Sequence, residues 1–269
     1  MDARFKKKEL FELWNEVKES LLSNKVTKAV MYKYYYPESH SPAPVCVSPS
    51  VVESGERICY LLGEVLPKIV NDYFLDDPFI CSVLQIDDRM QGLLKNIHNA
   101  NPIFNIGSCR PDFLMSSSSL YPSPLYICEI NARFALNGYV YGRMLYEATQ
   151  VIESRLEDKG YHLLPVRSIF DSILHKFDIK KDIVIIKGRE KGYSANIFAS
   201  YMKIFYPENN FRFVKPEDVS IHPETKNLQD NYGEITQVIL ELHQDEILNL
   251  SDEIILTIGL RCNCMNDLR

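Results

Sequence analysis

The sequence predicts an α/β fold whose first part is α+β, and two patterns lead to this prediction. After about residue 165, short apolar runs that favour β-strands alternate with helical segments, which is typical of a doubly wound parallel sheet. Before that point, helical periodicity surrounds a β-hairpin. Because 269 residues suffice for two domains of ordinary size, we predict one domain over 1–164 and a second over 165–269.

The composition excludes several classes of protein. Hydrophobic residues at 46% and charged residues at 25% match a folded globular chain, not a disordered, collagen-like or coiled-coil one. The net charge of −6 gives no basic surface, so we expect neither nucleic acid nor membrane as a partner. Seven cysteines at irregular positions, several in apolar runs, favour reduced thiols and therefore a cytoplasmic protein.

The elements of the first part follow from local patterns. Apolar residues three or four apart predict an amphipathic helix over 5–23. The aromatic run 30–35 alternates like a strand, and a loop rich in turn-forming residues follows it. A helix is predicted over 50–74, with a kink or break at Pro67, and a shorter one over 91–97.

The hairpin consists of two apolar runs, 112–115 and 125–130, joined by a connection rich in Ser and Pro. A helix with apolar positions at helical spacing follows over 139–157 and ends near Gly160. The second part is predicted to contain helices over 193–205 and 246–250 and strands over 183–186, 211–214, 238–242 and 254–258.

The densest polar group on strand-like elements lies on the hairpin. Arg110 and Asp112 begin one strand, and Glu129, Asn131 and Arg133 end the other. Because side chains two apart on a strand share a face, all five can lie together. Two carboxylates and an amide oxygen suit Mg²⁺ bound with phosphates, and arginines neutralise phosphoryl groups. The pattern favours metal-assisted phosphoryl transfer, the alternative being a polar strand end with surface ion pairs.

The two segments Arg110-Pro111-Asp112 and Glu129-Ile130-Asn131 resemble the metal-binding end of the ATP-grasp ligases. This resemblance implies that Asp112, Glu129 and Asn131 bind Mg²⁺ and ATP. It also implies that Arg110 and Arg133 are catalytic residues that contact phosphate or an acyl phosphate. The implied reaction joins a small-molecule carboxylate to an amine.

The order of parts is similar to that of the circularly permuted ATP-grasp proteins of the glutathionylspermidine synthase type. There an ATP-grasp-like lobe with the metal strands precedes a Rossmann-like pre-ATP-grasp domain, as 1–164 precedes 165–269 here. In that type a lobe carrying the nucleotide-binding lysines comes next, and these 269 residues do not contain it. The resemblance therefore implies that a second chain or a missing C-terminal lobe completes the ATP site.

Other interpretations stay open at this point. A non-catalytic binding or partner protein could retain the scaffold, and a dinucleotide binder is disfavoured because the glycine fingerprint is absent. Two segments, 187–192 and 243–246, follow predicted strands, and either could be a loop that contacts a substrate. Otherwise 187–192 is a solvated turn and 243–246 is the acidic start of a helix. Cys262 and Cys264 fit two ordinary thiols better than a zinc site.

Overall fold

The computed structural model describes residues 6–23, 47–104, 106–115, 125–136, 139–164, 173–191 and 194–269. The chain forms two compact units, and each unit is assembled from several segments of the chain. The proposed division at residue 165 stays a prediction. The strand predicted over 30–35 lies outside the described residues.

In chain order the described helices are α1 (Lys7–Ser23), α2 (Pro49–Phe74), α3 (Pro78–Val83), α4 (Asp88–Ala100), α5 (Tyr139–Thr149), α6 (Glu153–Glu157), α7 (Ser194–Phe205), α8 (Gln244–Leu248) and α9 (Asp252–Arg261). The strands are β1 (Arg110–Met115), β2 (Leu125–Asn131), β3 (Ile183–Lys187), β4 (Phe211–Val214), β5 (Ser220–Ile221), β6 (Leu228–Asp230), β7 (Gly233–Glu234), β8 (Gln237–Glu241) and β9 (Asn263–Cys264).

The first unit contains α1, α5, α6 and α7. Helix α1 packs on α5 and buries Leu10, Leu13, Val17 and Leu21, which are spaced three or four apart as one helix face requires. The predicted amphipathic helix is therefore confirmed. The predicted end of the following helical region is also confirmed, because Gly160 adopts a φ of 75° that favours glycine.

The second unit contains a four-stranded sheet of order β4-β3-β8-β9 in which all neighbours are parallel. This arrangement confirms the α/β class. Residues 183–186 of strand β3 are buried and only its last residue is partly exposed, as expected for a central strand of a parallel sheet. One face of the sheet, represented by Val184 and Leu240, packs in one core with Leu94 of α4 and Ile255 of α9.

The strand predicted over 254–258 is wrong, because this run lies within helix α9. The Ser251 side chain accepts a hydrogen bond from the backbone N–H of Ile254 at 3.3 Å, and Asp252 and Glu253 occupy the first turn. Both features stabilise a helix start. A short apolar run does not by itself distinguish a buried strand from a buried helix, and the fourth strand is β9, further along the chain.

The predicted hairpin is confirmed as the antiparallel pair β1–β2, which forms a two-stranded sheet of its own. A small antiparallel sheet of order β5-β6-β7 follows β4. Helix α2 continues through Pro67 without a break. Within the part of the chain that the structure describes, no helix has the length and apolar character that crossing a membrane requires.

Candidate functional site

The pairing of β1 with β2 determines which polar residues meet. Arg110 lies opposite Asn131, and Asp112 lies opposite Glu129. The register shifts immediately beyond Asp112, because the next pair joins Phe113 to Ile127. Directly opposite residues in an antiparallel pair point to the same face, so these four polar side chains form one cluster at the open end of the hairpin.

Hydrogen bonds connect all four side chains of this cluster. The Arg110 guanidinium donates to both carboxylate oxygens of Asp112, at 2.9 Å from Nε and 3.2 Å from Nη2. The Asn131 amide nitrogen donates to Asp112 Oδ2 at 3.2 Å and to Glu129 Oε1 at 3.0 Å. A single amide group therefore bridges the two carboxylates.

The cluster keeps Asp112 ionised. The hydrogen bonds from Arg110 are the main reason why the pKa of the Asp112 carboxyl lies below its usual value. The positive charge of Arg110 lowers this pKa further. The side chains of Arg110 and Asp112 are 44% and 40% exposed, so the pair lies at the surface. This leaves carboxylate oxygens accessible to a ligand from solvent.

The donor set of the cluster fits a magnesium ion. The Asn131 Nδ2 atom lies between the two carboxylates, and rotation of the amide would turn Oδ1 toward a cation shared with them. Magnesium binds oxygen ligands at about 2.0–2.1 Å, which is shorter than a hydrogen bond, so the carboxylates would have to approach the ion. Two carboxylates and one amide leave the remaining positions for water and phosphate oxygens.

Arg133, the fifth predicted residue, does not join the cluster. Its guanidinium donates from Nη2 to Oε1 of Gln244 at the start of α8. Burial lowers the pKa of Arg133, and no carboxylate among the described residues forms an ion pair with it. The structure thus brings four of the five predicted residues together and places the fifth against the parallel sheet's ligand-side loops.

Those loops follow β3 and β8, which are adjacent parallel strands of the sheet. Connections leave this pair toward opposite edges of the sheet, and such a switch point is where open α/β sheets bind ligands. Arg189 forms an ion pair with Asp245 at 2.6 Å, and Glu190 lies 3.0 Å from His243. The hydrogen bond from Arg189 holds the pKa of the Asp245 carboxyl below its usual value.

Glu246 acts as a structural cap in this region. One carboxylate oxygen accepts a hydrogen bond from the backbone N–H of His243 and the other from that of Arg189, both at 2.8 Å. The interpretation of residues 243–246 as an acidic helix start is therefore confirmed for Glu246. The ring of His243 meets Phe134, just beyond β2, edge to face at 5.2 Å.

Sequence reasoning missed the role of Asn266. Its side chain accepts a hydrogen bond from the backbone N–H of Ser108 at 2.7 Å and donates to the Ser108 carbonyl at 3.2 Å. It also donates to the Ala132 carbonyl. Asn266 therefore holds the chain before β1 and after β2, and no pattern in the sequence links these distant positions.

The described cysteines do not form a metal site. Within the described ranges, no three or more His, Cys, Asp or Glu side chains are grouped to hold a metal ion. The thiols of Cys262 and Cys264 donate to the carbonyls of Ile235 and Asn266, at 3.4 and 3.0 Å. Burial raises the pKa of each thiol to about 12, as expected for inert structural cysteines.

Comparison with solved structures shows the class to which this fold belongs. The chain is similar to the apo form of a glutathione synthetase-like effector from Globodera pallida, with a TM-score of 0.58 at 13% identity. The likeness covers 97% of this chain and 62% of that one, so the chain spans less than two thirds of the neighbour. The protein thus has an α/β, glutathione synthetase-like fold.

Comparison of the sequence with models of protein families shows the family of the chain. The family model described as the AnkG N-terminal domain matches residues 58–269, and the chain belongs to that family. No curated protein matches the sequence. The matched range includes the whole hairpin cluster and the parallel sheet.

Proposed function

We propose that the chain binds Mg²⁺ and ATP through Asp112, Glu129 and Asn131, and that it serves as an ATP-grasp-type carboxylate-amine ligase. The bridging of both carboxylates by the Asn131 amide is the observation that carries this proposal. The glutathione synthetase-like fold supports it. ATP bound with magnesium would transfer its terminal phosphoryl group to a carboxylate and leave ADP, and an amine would then attack the acyl phosphate to form an amide with release of phosphate.

The residues of the chain have separate tasks in this proposal. Asp112 and Glu129 provide anionic oxygens for the cation, and Asn131 provides an amide oxygen after rotation. Arg110 keeps Asp112 ionised and oriented, because it binds both oxygens of that carboxylate. Its remaining exposed guanidinium surface, and that of Arg133, would neutralise charge on the transferred phosphoryl group.

Titration calorimetry with Mg²⁺ and a non-hydrolysable ATP analogue tests this site. We expect binding by the native chain and a loss of roughly tenfold or more in the variants Glu129→Gln and Asp112→Asn. The matched control is Glu217→Gln, which neutralises an exposed carboxylate of the same unit and should leave the affinity unchanged. No magnesium-dependent binding, or equal affinity in all variants, would remove the assignment.

A second candidate function is nucleotide binding without turnover, in a binding or partner protein. The exposure of the cluster favours it, because phosphoryl transfer requires exclusion of water. Leu114 and Tyr126, paired just beyond the cluster, are 60% and 46% exposed, so the described part of the chain does not cover this face. A phosphate-release assay with carboxylate and amine mixtures separates the two functions, because only a ligase turns over.

A further inference from the structure

A cavity of 280 Å³ lies behind the base of the hairpin, inside the second unit. Its walls are mainly apolar and come from α4, β8, α8 and their neighbours: Ile86, Met90, Leu94, Leu240, Ile247 and Leu268. At roughly 30 Å³ per water molecule, this volume equals about nine waters. The cavity is therefore suited to a small organic molecule with an apolar body.

Two of the charged residues that line the cavity form an ion pair with each other. Asp267 and Arg269 both line it, but they neutralise each other through a hydrogen bond of 2.8 Å from Arg269 Nε. The Arg269 side chain is 1% exposed and also donates to the Ile103 carbonyl at 2.9 Å. This pair therefore offers little charge to a ligand.

Arg133 is the charge that remains. Arg133 lines the same cavity together with Gln244. Its guanidinium donates a hydrogen bond to the amide oxygen of Gln244, which carries no charge. Since no described carboxylate forms an ion pair with Arg133, the cavity carries one uncompensated cation at its boundary. The Arg133 side chain is exposed at this boundary, and a carboxylate is the planar anion that best matches the geometry of a guanidinium.

The cavity also lies next to the proposed magnesium cluster. Ala132 and Arg133 line it and immediately follow Asn131, which bridges the two carboxylates. At about 3.3 Å per residue of extended chain, the Cα atoms of Asn131 and Arg133 are at most about 7 Å apart. The residue that would hold the acid and a residue of the cluster are therefore close neighbours at the end of one strand.

From this arrangement we propose that the cavity binds a small monocarboxylic acid with an unbranched or compact apolar body, its carboxylate on Arg133 and Gln244. This inference rests on the proposed function, since it names the acid substrate of the same ligase. A second charged group on the ligand would find no unpaired charge, because Asp267 and Arg269, the other charged residues that line the cavity, bind each other. A dicarboxylate or an amino acid is thus a poor fit.

Titration calorimetry with hexanoate on the full chain provides the test. Each buried methylene contributes about 0.8 kcal/mol, or about fourfold in affinity, so hexanoate should bind roughly 15-fold more tightly than butanoate. Hexylamine, with the same body and the opposite charge, and adipate, with a second carboxylate, should each bind at least about tenfold more weakly. Equal affinity for hexanoate and hexylamine would overturn the assignment.

Variants locate the binding in the cavity. Arg133→Met should abolish the preference for hexanoate over hexylamine, whereas Arg133→Lys should retain part of it. Leu268→Phe and Ala132→Leu reduce the cavity volume at positions that are at least partly exposed. Each should weaken the binding of hexanoate more than the binding of butanoate. Unchanged chain-length dependence in both volume variants would overturn the proposal even if one of them folded poorly.

The outcome is separable from that of the proposed function. Magnesium-dependent binding of the ATP analogue, lost in Glu129→Gln, would support the nucleotide site even if hexanoate failed to bind, and only the acid assignment would fall. Hexanoate binding without any nucleotide binding would instead overturn the ligase and the role of the acid as its substrate.

Discussion

Asn266 binds both backbone groups of Ser108, since its side chain accepts a hydrogen bond from the Ser108 N–H at 2.7 Å and donates one to the Ser108 carbonyl at 3.2 Å. A third hydrogen bond reaches the carbonyl of Ala132, which follows the other strand of the hairpin at the same end. The adjacent Gly107 allows this approach, because a Cβ there would lie 1.9 Å from the Met265 carbonyl oxygen. One amide thus fixes the base of the hairpin that carries the candidate site.

We predict that Asn266→Ala destabilises the chain by roughly 1–3 kcal/mol, because backbone groups of Ser108 and Ala132 lose their hydrogen-bond partners. Urea unfolding followed by circular dichroism measures this change. The comparison is Asn263→Ala in β9, which removes an exposed amide with one hydrogen bond, to the Lys176 carbonyl, and it should lower the stability by less. Equal stability of Asn266→Ala and the native chain would show that water replaces the amide at no cost.

Gly188 provides a second prediction. A Cβ at this position would lie 2.1 Å from Glu246 Oε1, so Gly188→Ala must displace the carboxylate that caps His243 and Arg189. We expect a loss of roughly 1–3 kcal/mol in unfolding free energy. The matched control is Gly92→Ala in α4, where a Cβ would meet nothing within 4 Å. Because alanine favours a helix more than glycine does, this variant should raise the free energy of unfolding by about 0.5–1 kcal/mol.

A double-mutant cycle checks the cause at Gly188. In the Glu246→Ala background the obstructing carboxylate is absent, so Gly188→Ala should cost much less than in the native chain. An identical cost in both backgrounds would place the strain in the backbone of Gly188 and not in its contact with Glu246.

The sequence predicted the hairpin cluster because strand alternation and antiparallel pairing are local rules. The positions of Arg110, Asp112, Glu129 and Asn131 on one face follow from period-two spacing once the two strands are recognised. The direction of Arg133 does not follow, since its partner Gln244 is 111 residues away in the chain. The same limit applies to Asn266, whose partners belong to segments that only the tertiary fold brings together.

The misassigned strand over 254–258 shows a different limit. Its apolar run fits a buried strand as well as a buried helix, and only the cap at Ser251 together with the acidic first turn favours the helix. By contrast, the runs 183–186 and 211–214 are short, rich in β-branched or aromatic residues and bounded by turns, so their strands were predicted within a residue of β3 and β4.

The cysteines should differ sharply in reactivity. Because burial raises the pKa of both thiols to about 12, Cys262 and Cys264 remain almost entirely protonated at pH 8. Cys128 is exposed on β2. We predict that iodoacetamide at pH 8 modifies Cys128 well before Cys262 and Cys264, as measured by peptide mass spectrometry over time.

The control for this prediction is the same reaction in strong denaturant, where the thiols should react at similar rates because burial is lost. Rapid modification of Cys264 in the folded chain would contradict the burial of its thiol and would require the segment after β9 to open readily.

Asp230 should make stability depend on pH. Its side chain is buried, which alone would raise the pKa of its carboxyl, but bonds from Arg212 and from the backbone N–H groups of Tyr232 and Gly233 outweigh burial and lower it. The distances are 2.7 Å from Arg212 Nε, 2.8 Å from Tyr232 and 3.0 Å from Gly233. Folding therefore favours the ionised carboxylate.

Because the pKa is lower in the folded chain, the stabilisation is present above the unfolded value of about 3.9 and is lost as the pH falls through the folded value. Asp230→Asn should cost roughly 1–3 kcal/mol at pH 7, and its difference from the native chain should shrink below about pH 4. Urea unfolding at a series of pH values measures that difference. The control is Asp218→Asn, which replaces an exposed carboxylate and should change the free energy of unfolding by less than about 0.5 kcal/mol. If Asp230→Asn differed from the native chain by the same amount down to low pH, an ionised, hydrogen-bonded Asp230 would be contradicted.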